Sequence, residues 1–132
     1  MDPDVVKAMR AWFRADATEA ECLDAMSYEV GDPATAPDVL RKLTRFPALA
    51  AALRAADRAT PREAWAPFKS DVPVLVVQGL ADRIAPRVDE RTLREQFGDG
   101  ARLVSVPRVG HMLCVEHPAS VADAVLSFLR SQ

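Results

Sequence analysis

An aspartate and a histidine stand at two points of this sequence where a buried strand is predicted to end. Asp82 follows the apolar run 72–77 and the tight turn Gly79-Leu80-Ala81. His111 follows a second apolar run, and the interval between the two residues is long enough for one helix and one strand. In a parallel sheet, side chains beyond the carboxyl ends of neighbouring strands converge on one crevice. We therefore expect the two groups to meet in space.

A carboxylate beside an imidazole is suited to proton transfer. A neutral imidazole can take a proton from a hydroxyl near pH 7. A carboxylate that holds the other ring nitrogen fixes the tautomer and stabilises the imidazolium that forms. Gly110, directly before the histidine, is expected to let the backbone turn sharply there.

The order strand, helix, strand, loop, helix beyond residue 71 would position this pair. The run Val74–Val77 is apolar without alternation, which is typical of a strand covered by helices on both faces of a parallel sheet. Pro86 is predicted to begin a helix that ends at Gly98. Residues 101–107 are predicted to form a second strand. Pro118 is predicted to begin the last helix, whose expected inner face comprises Val121, Ala122, Val125, Leu126 and Leu129.

Residues 1–70 are predicted to form short helices without a strand. Asp2 followed by Pro3 is a strong helix start, and Thr18 with Glu21 has the spacing of a capping box. The predicted helices run from Pro3 to about Ala15, from Thr18 through Met26, over 38–46, over 47–56, and from Thr60 to about Pro67.

The features from about residue 70 to 130 resemble the C-terminal part of the α/β-hydrolase superfamily. The shared pattern is an apolar strand, a Gly-x-x-Asp, a nearby proline, a second strand, a Gly-His, an x-Glu-x-Pro and a final amphipathic helix; here the matching residues are Gly79, Asp82, Pro86, Gly110, His111, Glu116 and Pro118. By this resemblance, Asp82 is the orienting acid and His111 the general base of a catalytic triad. Each residue alone is more often a turn or loop residue, but their order and spacing together favour the catalytic interpretation.

The resemblance implies an α/β fold that is an incomplete α/β-hydrolase: a helical cap segment, then two parallel strands and two helices. Residues 1–70 are similar to the cap or lid that many members carry, and residues 71–132 to the C-terminal part of the core. The implied reaction is hydrolysis of a small ester-like substrate, of the esterase or lactonase type.

The nucleophile of this family sits in a Gly-x-Ser-x-Gly turn, and the five glycines of this sequence leave no such spacing. We therefore expect the chain to be inactive alone, whether it is a fragment, a split subunit or a remnant. The nucleophile it would need, Ser, Asp or Cys, stays open. A two-stranded parallel sheet with an open apolar edge is poorly stable. This favours pairing with a complementary N-terminal hydrolase half, self-association, or an alternative role as a non-catalytic interaction subunit.

Other groups near the histidine allow different chemistry. His111, Cys114, Glu116 and His117 have spacing that a metal site could use, although Glu116 and His117 fit better as residues at the start of the last helix. Cys114 could be a nucleophile beside His111, but it is expected to be a small buried apolar residue. No metal and no cofactor is expected.

Several aromatic and basic residues have both a functional and a structural interpretation. Trp12, Phe13 and Trp65 could line a substrate pocket or belong to the core. Arg83 and Arg87 could pair with the neighbouring carboxylate or bind an anionic substrate, although a solvated surface position is the simpler account.

Composition excludes some classes of function. The 132 residues suffice for one domain, and a net charge of -2 from 17 basic and 19 acidic residues predicts neither a nucleic-acid nor an anionic-membrane partner. No apolar run reaches the roughly 20 residues of a membrane span. Cys22 and Cys114 form no disulfide framework, so a cytoplasmic location is expected.

Overall fold

The computed structural model describes residues 2–61, 64 and 72–132 of the chain. It confirms the predicted α/β class with a parallel strand pair. The helices are α1 Pro3–Trp12, α2 Glu19–Glu29, α3 Ala36–Arg41, α4 Pro47–Ala59, α5 Glu90–Phe97, α6 Leu113–Glu116 and α7 Pro118–Arg130, with a 3-10 helix at Pro33–Thr35; the strands are β1 Leu75–Gly79 and β2 Arg102–Val106. In the part of the chain that is described, no helix has the length and apolar character needed to cross a membrane.

The predicted helix starts are confirmed in the first half of the chain, whereas several ends differ. The Asp2 side chain accepts the Asp4 N–H at 2.9 Å, and the capping box of Thr18 and Glu21 is present. Helix α1 ends at Trp12, earlier than expected, and α2 continues one turn beyond the predicted end, to Glu29. The helix predicted from Thr60 to Pro67 lies largely outside the described residues.

Strands β1 and β2 pair in parallel register, with Val77 opposite Val104 and Gly79 opposite Val106. Within the described residues, neither strand has another strand neighbour. Of β1, Gly79 is buried and the other positions are only partly buried. The apolar run predicted a strand of the kind that helices cover on both faces; in the described residues α7 contacts β1 and α5 contacts β2, and β1 stays only partly buried.

Helix α5 begins at Glu90, and the prediction that it begins at Pro86 is wrong. The reason is a polar residue inside the apolar strand. The Gln78 side chain donates to the Val88 carbonyl and accepts the Val88 N–H, both at 3.0 Å, which holds this segment extended beside β1. The helix starts only at the next capping residue, where Asp89 accepts the Thr92 N–H at 2.7 Å.

Helix α7 begins at Pro118 as predicted, but its inner face is narrower than expected. Val121 packs against the buried residues Val106, Val109 and Leu113. By contrast, Val125, Leu126 and Leu129 are 39%, 47% and 61% exposed. The small sheet has too little surface to cover the whole apolar stripe of the helix.

Two apolar clusters flank the loop that carries His111, which we call the His111 loop (residues 107–112). The helical cluster consists of Met26, Val30, Ala36 and Val39, with Met112 and Val115 packed against it. The sheet cluster consists of Val106, Val109 and Leu113, with Val77 and Val121 against it. The His111 loop thus lies between the helical first half of the chain and the sheet.

Candidate functional site

The structure brings the two predicted site residues together. The Nδ1 atom of His111 lies 2.9 Å from Oδ2 of Asp82. The aspartate side chain is only 10% exposed, whereas the imidazole is 42% exposed. The acid is therefore held inside the fold, and the imidazole remains accessible. Their catalytic roles stay predictions.

Asp82 performs two tasks with its two oxygens. Oδ1 accepts the main-chain N–H groups of Ile84 at 2.7 Å and Ala85 at 2.9 Å, which closes the turn after β1. Oδ2 faces the imidazole. Partial burial pushes the pKa of Asp82 upward, but the hydrogen bonds from His111, Ala85 and Ile84 outweigh it, so the pKa lies below its ordinary value of 3.8. The carboxylate is ionised at neutral pH and can stabilise an imidazolium.

Two glycines allow the main chain to cross itself at this site. A Cβ on Gly79 would lie 2.3 Å from the Val109 carbonyl oxygen, and one on Gly110 would lie 2.4 Å from the Glu29 carbonyl oxygen. Gly110 is therefore needed because the main chain at the end of α2 approaches it closely, and not for the sharp turn that its position suggested. The left-handed residue of this loop is Arg108, with φ 60°.

The last turn of α2 is bonded directly to the His111 loop. The Glu29 carbonyl accepts the N–H of His111 at 2.6 Å and that of Met112 at 3.1 Å. Glu116 then bridges the same two segments, because its oxygens accept the Gly31 N–H at 2.7 Å and the Gly110 N–H at 3.0 Å. Glu116 was expected to face a helix dipole; it instead fixes the backbone next to His111.

Sequence reasoning missed one acidic residue of the site, the side chain of Glu29. It is only 7% exposed, and its Oε2 atom has no hydrogen-bond partner among the described residues. Burial raises its pKa above the ordinary 4.5; the imidazole of His111 acts to lower it, and the charge of Asp82 acts to raise it further. Nothing in the helical pattern separates Glu29 from the exposed acids of α2. It is set apart only by its contact with the His111 loop, which the sequence does not reveal.

A cavity of about 260 Å³ opens beside the Asp82–His111 pair. Its walls are formed by β1 residues 76–79, by the segment 85–88 that Gln78 holds, and by Leu113. Arg87 is among its lining residues. Arg83 points elsewhere, since it donates to the Ser27 carbonyl and lies 4.9 Å over the Tyr28 ring of α2. The cavity is the place where a small reacting group could reach the imidazole.

The other candidates from the sequence lie apart from this cavity. Cys114 is exposed, so the prediction that it is buried is wrong. Trp12 packs on the helical cluster and, with Phe13, lines a different cavity of about 160 Å³. Trp65 lies outside the described residues. In the described ranges, no group of three or more His, Cys, Asp or Glu side chains could hold a metal ion.

Parallel strands whose carboxyl ends carry a hydrogen-bonded aspartate and histidine, followed by a final amphipathic helix, define the C-terminal part of an α/β hydrolase. The family model described as TAP-like protein, within that superfamily, matches residues 51–132, and the chain belongs to this family. The match includes Asp82 and His111, whereas Glu29 lies before it. No curated protein and no solved structure matches the chain.

Proposed function

We propose that this chain supplies the general base and the orienting acid of a hydrolase for small ester-like substrates. His111 is the base and Asp82 the acid. The observation that carries the proposal is the 2.9 Å contact between His111 Nδ1 and Asp82 Oδ2 beside a cavity. Membership in a hydrolase family supports it, and the ester or lactone class of substrate is part of the proposal.

The tautomer that this contact favours suits base catalysis. With Nδ1–H donated to the ionised Asp82, the lone pair of the ring lies on Nε2, which has no partner among the described residues. The imidazole is 42% exposed, so Nε2 can be reached by a hydroxyl from another segment. Proton uptake at Nε2 produces an imidazolium that the adjacent carboxylate stabilises.

The nucleophile in this proposal comes from a segment other than these 132 residues, either on the same longer polypeptide or on a partner chain. His111 takes the proton of its hydroxyl or thiol while the oxygen or sulfur attacks the substrate carbonyl. The imidazolium then returns that proton to the leaving alcohol. Water, deprotonated by His111 in the same way, releases the acid product and regenerates the nucleophile.

The test is co-expression of the chain with a nucleophile-bearing segment, either the one encoded beside it or the matching half of a complete relative. Hydrolysis of p-nitrophenyl esters is measured together with labelling of the nucleophile by a fluorophosphonate. We expect His111→Ala to lower kcat/KM at least about 1,000-fold and to abolish labelling. The matched control is His117→Ala, which removes the only other histidine of the chain and leaves the rate near that of the parent.

Two outcomes contradict the proposal. One is an active complex in which His111→Ala and His117→Ala behave alike. The other is a stable complex with an intact nucleophile that hydrolyses no ester and takes no label. If the chain alone hydrolyses activated esters and Cys114→Ser removes this activity, the nucleophile lies inside the chain and the split arrangement is wrong.

A second candidate function, a non-catalytic interaction subunit, rests on a different observation. Leu126 and Leu129 of α7 are 47% and 61% exposed, and β1 pairs only with β2 among the described residues. An exposed strand and an exposed apolar helix stripe favour association with another chain. This candidate predicts a stable complex, seen by light scattering, that stays unreactive toward activated esters and fluorophosphonate.

A further inference from the structure

Glu29 is an unusual acid for the end of a surface helix. Its side chain is more than nine-tenths buried, and Oε2 has no hydrogen-bond partner among the described residues. By contrast, Glu19 and Asp24 of the same helix are exposed. A buried carboxyl oxygen without a partner is costly, so its presence calls for a physical reason.

The charged groups around Glu29 limit the possible reasons for its burial. Glu116 is occupied by the N–H groups of Gly31 and Gly110, and Arg83 is bonded to the Ser27 carbonyl and stacked on Tyr28. The main-chain bond from the His111 N–H to the Glu29 carbonyl places His111, and with it Asp82, beside Glu29, and both groups affect the pKa of the Glu29 carboxyl. In the described residues, the imidazole is thus the group whose positive charge can compensate this buried acid.

We propose that Glu29 is a positioning residue of the Asp82–His111 site: its main-chain carbonyl holds the His111 backbone, and its buried carboxylate stabilises the imidazolium. The two effects come from one residue because α2 ends where the His111 loop crosses it. Asp82 acts through a hydrogen bond to Nδ1, whereas Glu29 acts through space from a buried position, and solvent at the 42% exposed imidazole screens part of this effect. The catalytic consequence rests on the proposed function; the electrostatic effect does not.

The carboxyls of Glu29 and Asp82 are protonated in a defined order as the pH falls. Burial raises the pKa of Glu29, while its hydrogen bonds lower that of Asp82. As the pH falls, Glu29 is neutralised before Asp82. The imidazolium then loses the through-space support first and keeps the hydrogen bond from Asp82.

The direct test is an NMR titration of the His111 imidazole in the whole chain, with its resonances assigned by comparison with His117→Ala. We expect Glu29→Gln to lower the imidazole pKa by about 0.5 to 1 unit, because a neighbouring negative charge is removed. Glu29→Asp keeps the charge and is expected to restore part of the shift. Asp24→Asn removes one exposed charge from the same helix and is expected to leave the imidazole unchanged.

Equal imidazole titrations in the parent chain, Glu29→Gln and Asp24→Asn overturn the proposal. The parent chain gives a second readout that needs no substitution: the carboxyl carbon of Glu29 should titrate above the ordinary 4.5 and shift again as His111 titrates. A Glu29 carboxyl that titrates at its ordinary pH without that second step overturns the proposal even if Glu29→Gln does not fold.

The hydrolytic complex separates this proposal from the proposed function. There, Glu29→Gln should move the acid limb of kcat/KM to lower pH by the same amount as the imidazole pKa. A merely structural role would lower the rate at every pH and leave the limb in place. If no complex hydrolyses esters but the imidazole shift is found, only the proposed function fails; if hydrolysis is found without the shift, only the role of Glu29 fails.

Discussion

A single methyl group at Gly110 should separate the segments that hold His111. A Cβ built there would lie 2.4 Å from the Glu29 carbonyl oxygen, 2.5 Å from the Val30 carbonyl carbon and 2.6 Å from the Gly31 nitrogen. All three are main-chain atoms, so no flexible side chain can move aside. Since carbon atoms pack at about 3.5 to 4 Å, Gly110→Ala must displace the end of α2 from the loop by about 1 Å.

That displacement acts on three hydrogen bonds. The His111 N–H donates to the Glu29 carbonyl at 2.6 Å, and Glu116 accepts the N–H groups of Gly110 at 3.0 Å and Gly31 at 2.7 Å. A neutral hydrogen bond contributes about 1 kcal/mol and one to a charged group about 1.5 to 3 kcal/mol. Losing all three bonds would cost about 4 to 7 kcal/mol. A displacement of about 1 Å weakens these bonds without removing them, so we expect Gly110→Ala to lower the free energy of unfolding by about 3 to 5 kcal/mol.

Urea denaturation followed by circular dichroism measures this loss, and the chain offers a matched control. The nearest heavy atom to a Cβ at Gly100 is Pro73 Cα, at an ordinary 3.7 Å. Gly100→Ala should therefore change the free energy of unfolding by less than about 1 kcal/mol. If Gly110→Ala and Gly100→Ala unfold at the same urea concentration, the close crossing of the three segments does not exist.

Two further predictions concern the acids of the site. Glu116→Ala should cost about 2 to 4 kcal/mol of unfolding free energy and abolish the hydrogen-exchange protection of the Gly31 and Gly110 amides; unchanged protection would contradict the bridge. The pH dependence of Asp82 and Glu29 should have opposite signs. The pKa of Asp82 is lowered, so its contribution to stability is present at neutral pH and disappears as the pH falls below about 4; Asp82→Asn is therefore costly only at higher pH. The pKa of Glu29 is raised, so its contribution is full below about pH 4.5 and is lost as the pH rises through the folded pKa; Glu29→Gln should stabilise the chain at neutral pH and not in acid. Urea denaturation midpoints of both variants, measured between pH 3 and 7, test both predictions. If the two substitutions change stability with the same dependence on pH, the assigned directions of the two pKa shifts are wrong.

The meeting of Asp82 and His111 could be predicted because topology determines it. Two apolar runs separated by a helix pattern form parallel neighbours, and the residues after their carboxyl ends then lie at one edge. The helix caps were predictable for a local reason, since Asp2 and Thr18 bond to amides within three residues. These features depend on short-range chemistry or on the order of elements.

The sequence-based predictions failed where contacts between residues far apart in the chain determine the structure. Pro86 looks like a helix start, but Gln78 bonds to Val88 across the turn and delays the helix to Glu90. The lone polar residue inside an apolar strand was the available signal. Glu29 gave none, because its burial depends on a loop more than 80 residues later in the chain. The division of the chain at residue 70 stays a prediction, although α2 on one side of it and the His111 loop on the other share hydrogen bonds.

The surroundings of His111 restrict how a nucleophile could approach it. One side of the imidazole is occupied by Asp82, and its backbone is fixed by the end of α2, where main-chain atoms already approach too closely for a Cβ. His111 lines the cavity walled by β1 and the segment 85–88. We therefore expect a hydroxyl that reaches Nε2 to arrive through this cavity, over β1. A partner strand pairing beside β1 would place a turn at its own carboxyl end next to that cavity, whereas a partner seated on α1 or α4 could not reach the imidazole. Cross-linking from a cysteine introduced at Val76, which lines the cavity, should thus capture the nucleophile-bearing segment, and one introduced at exposed Leu53 of α4 should not.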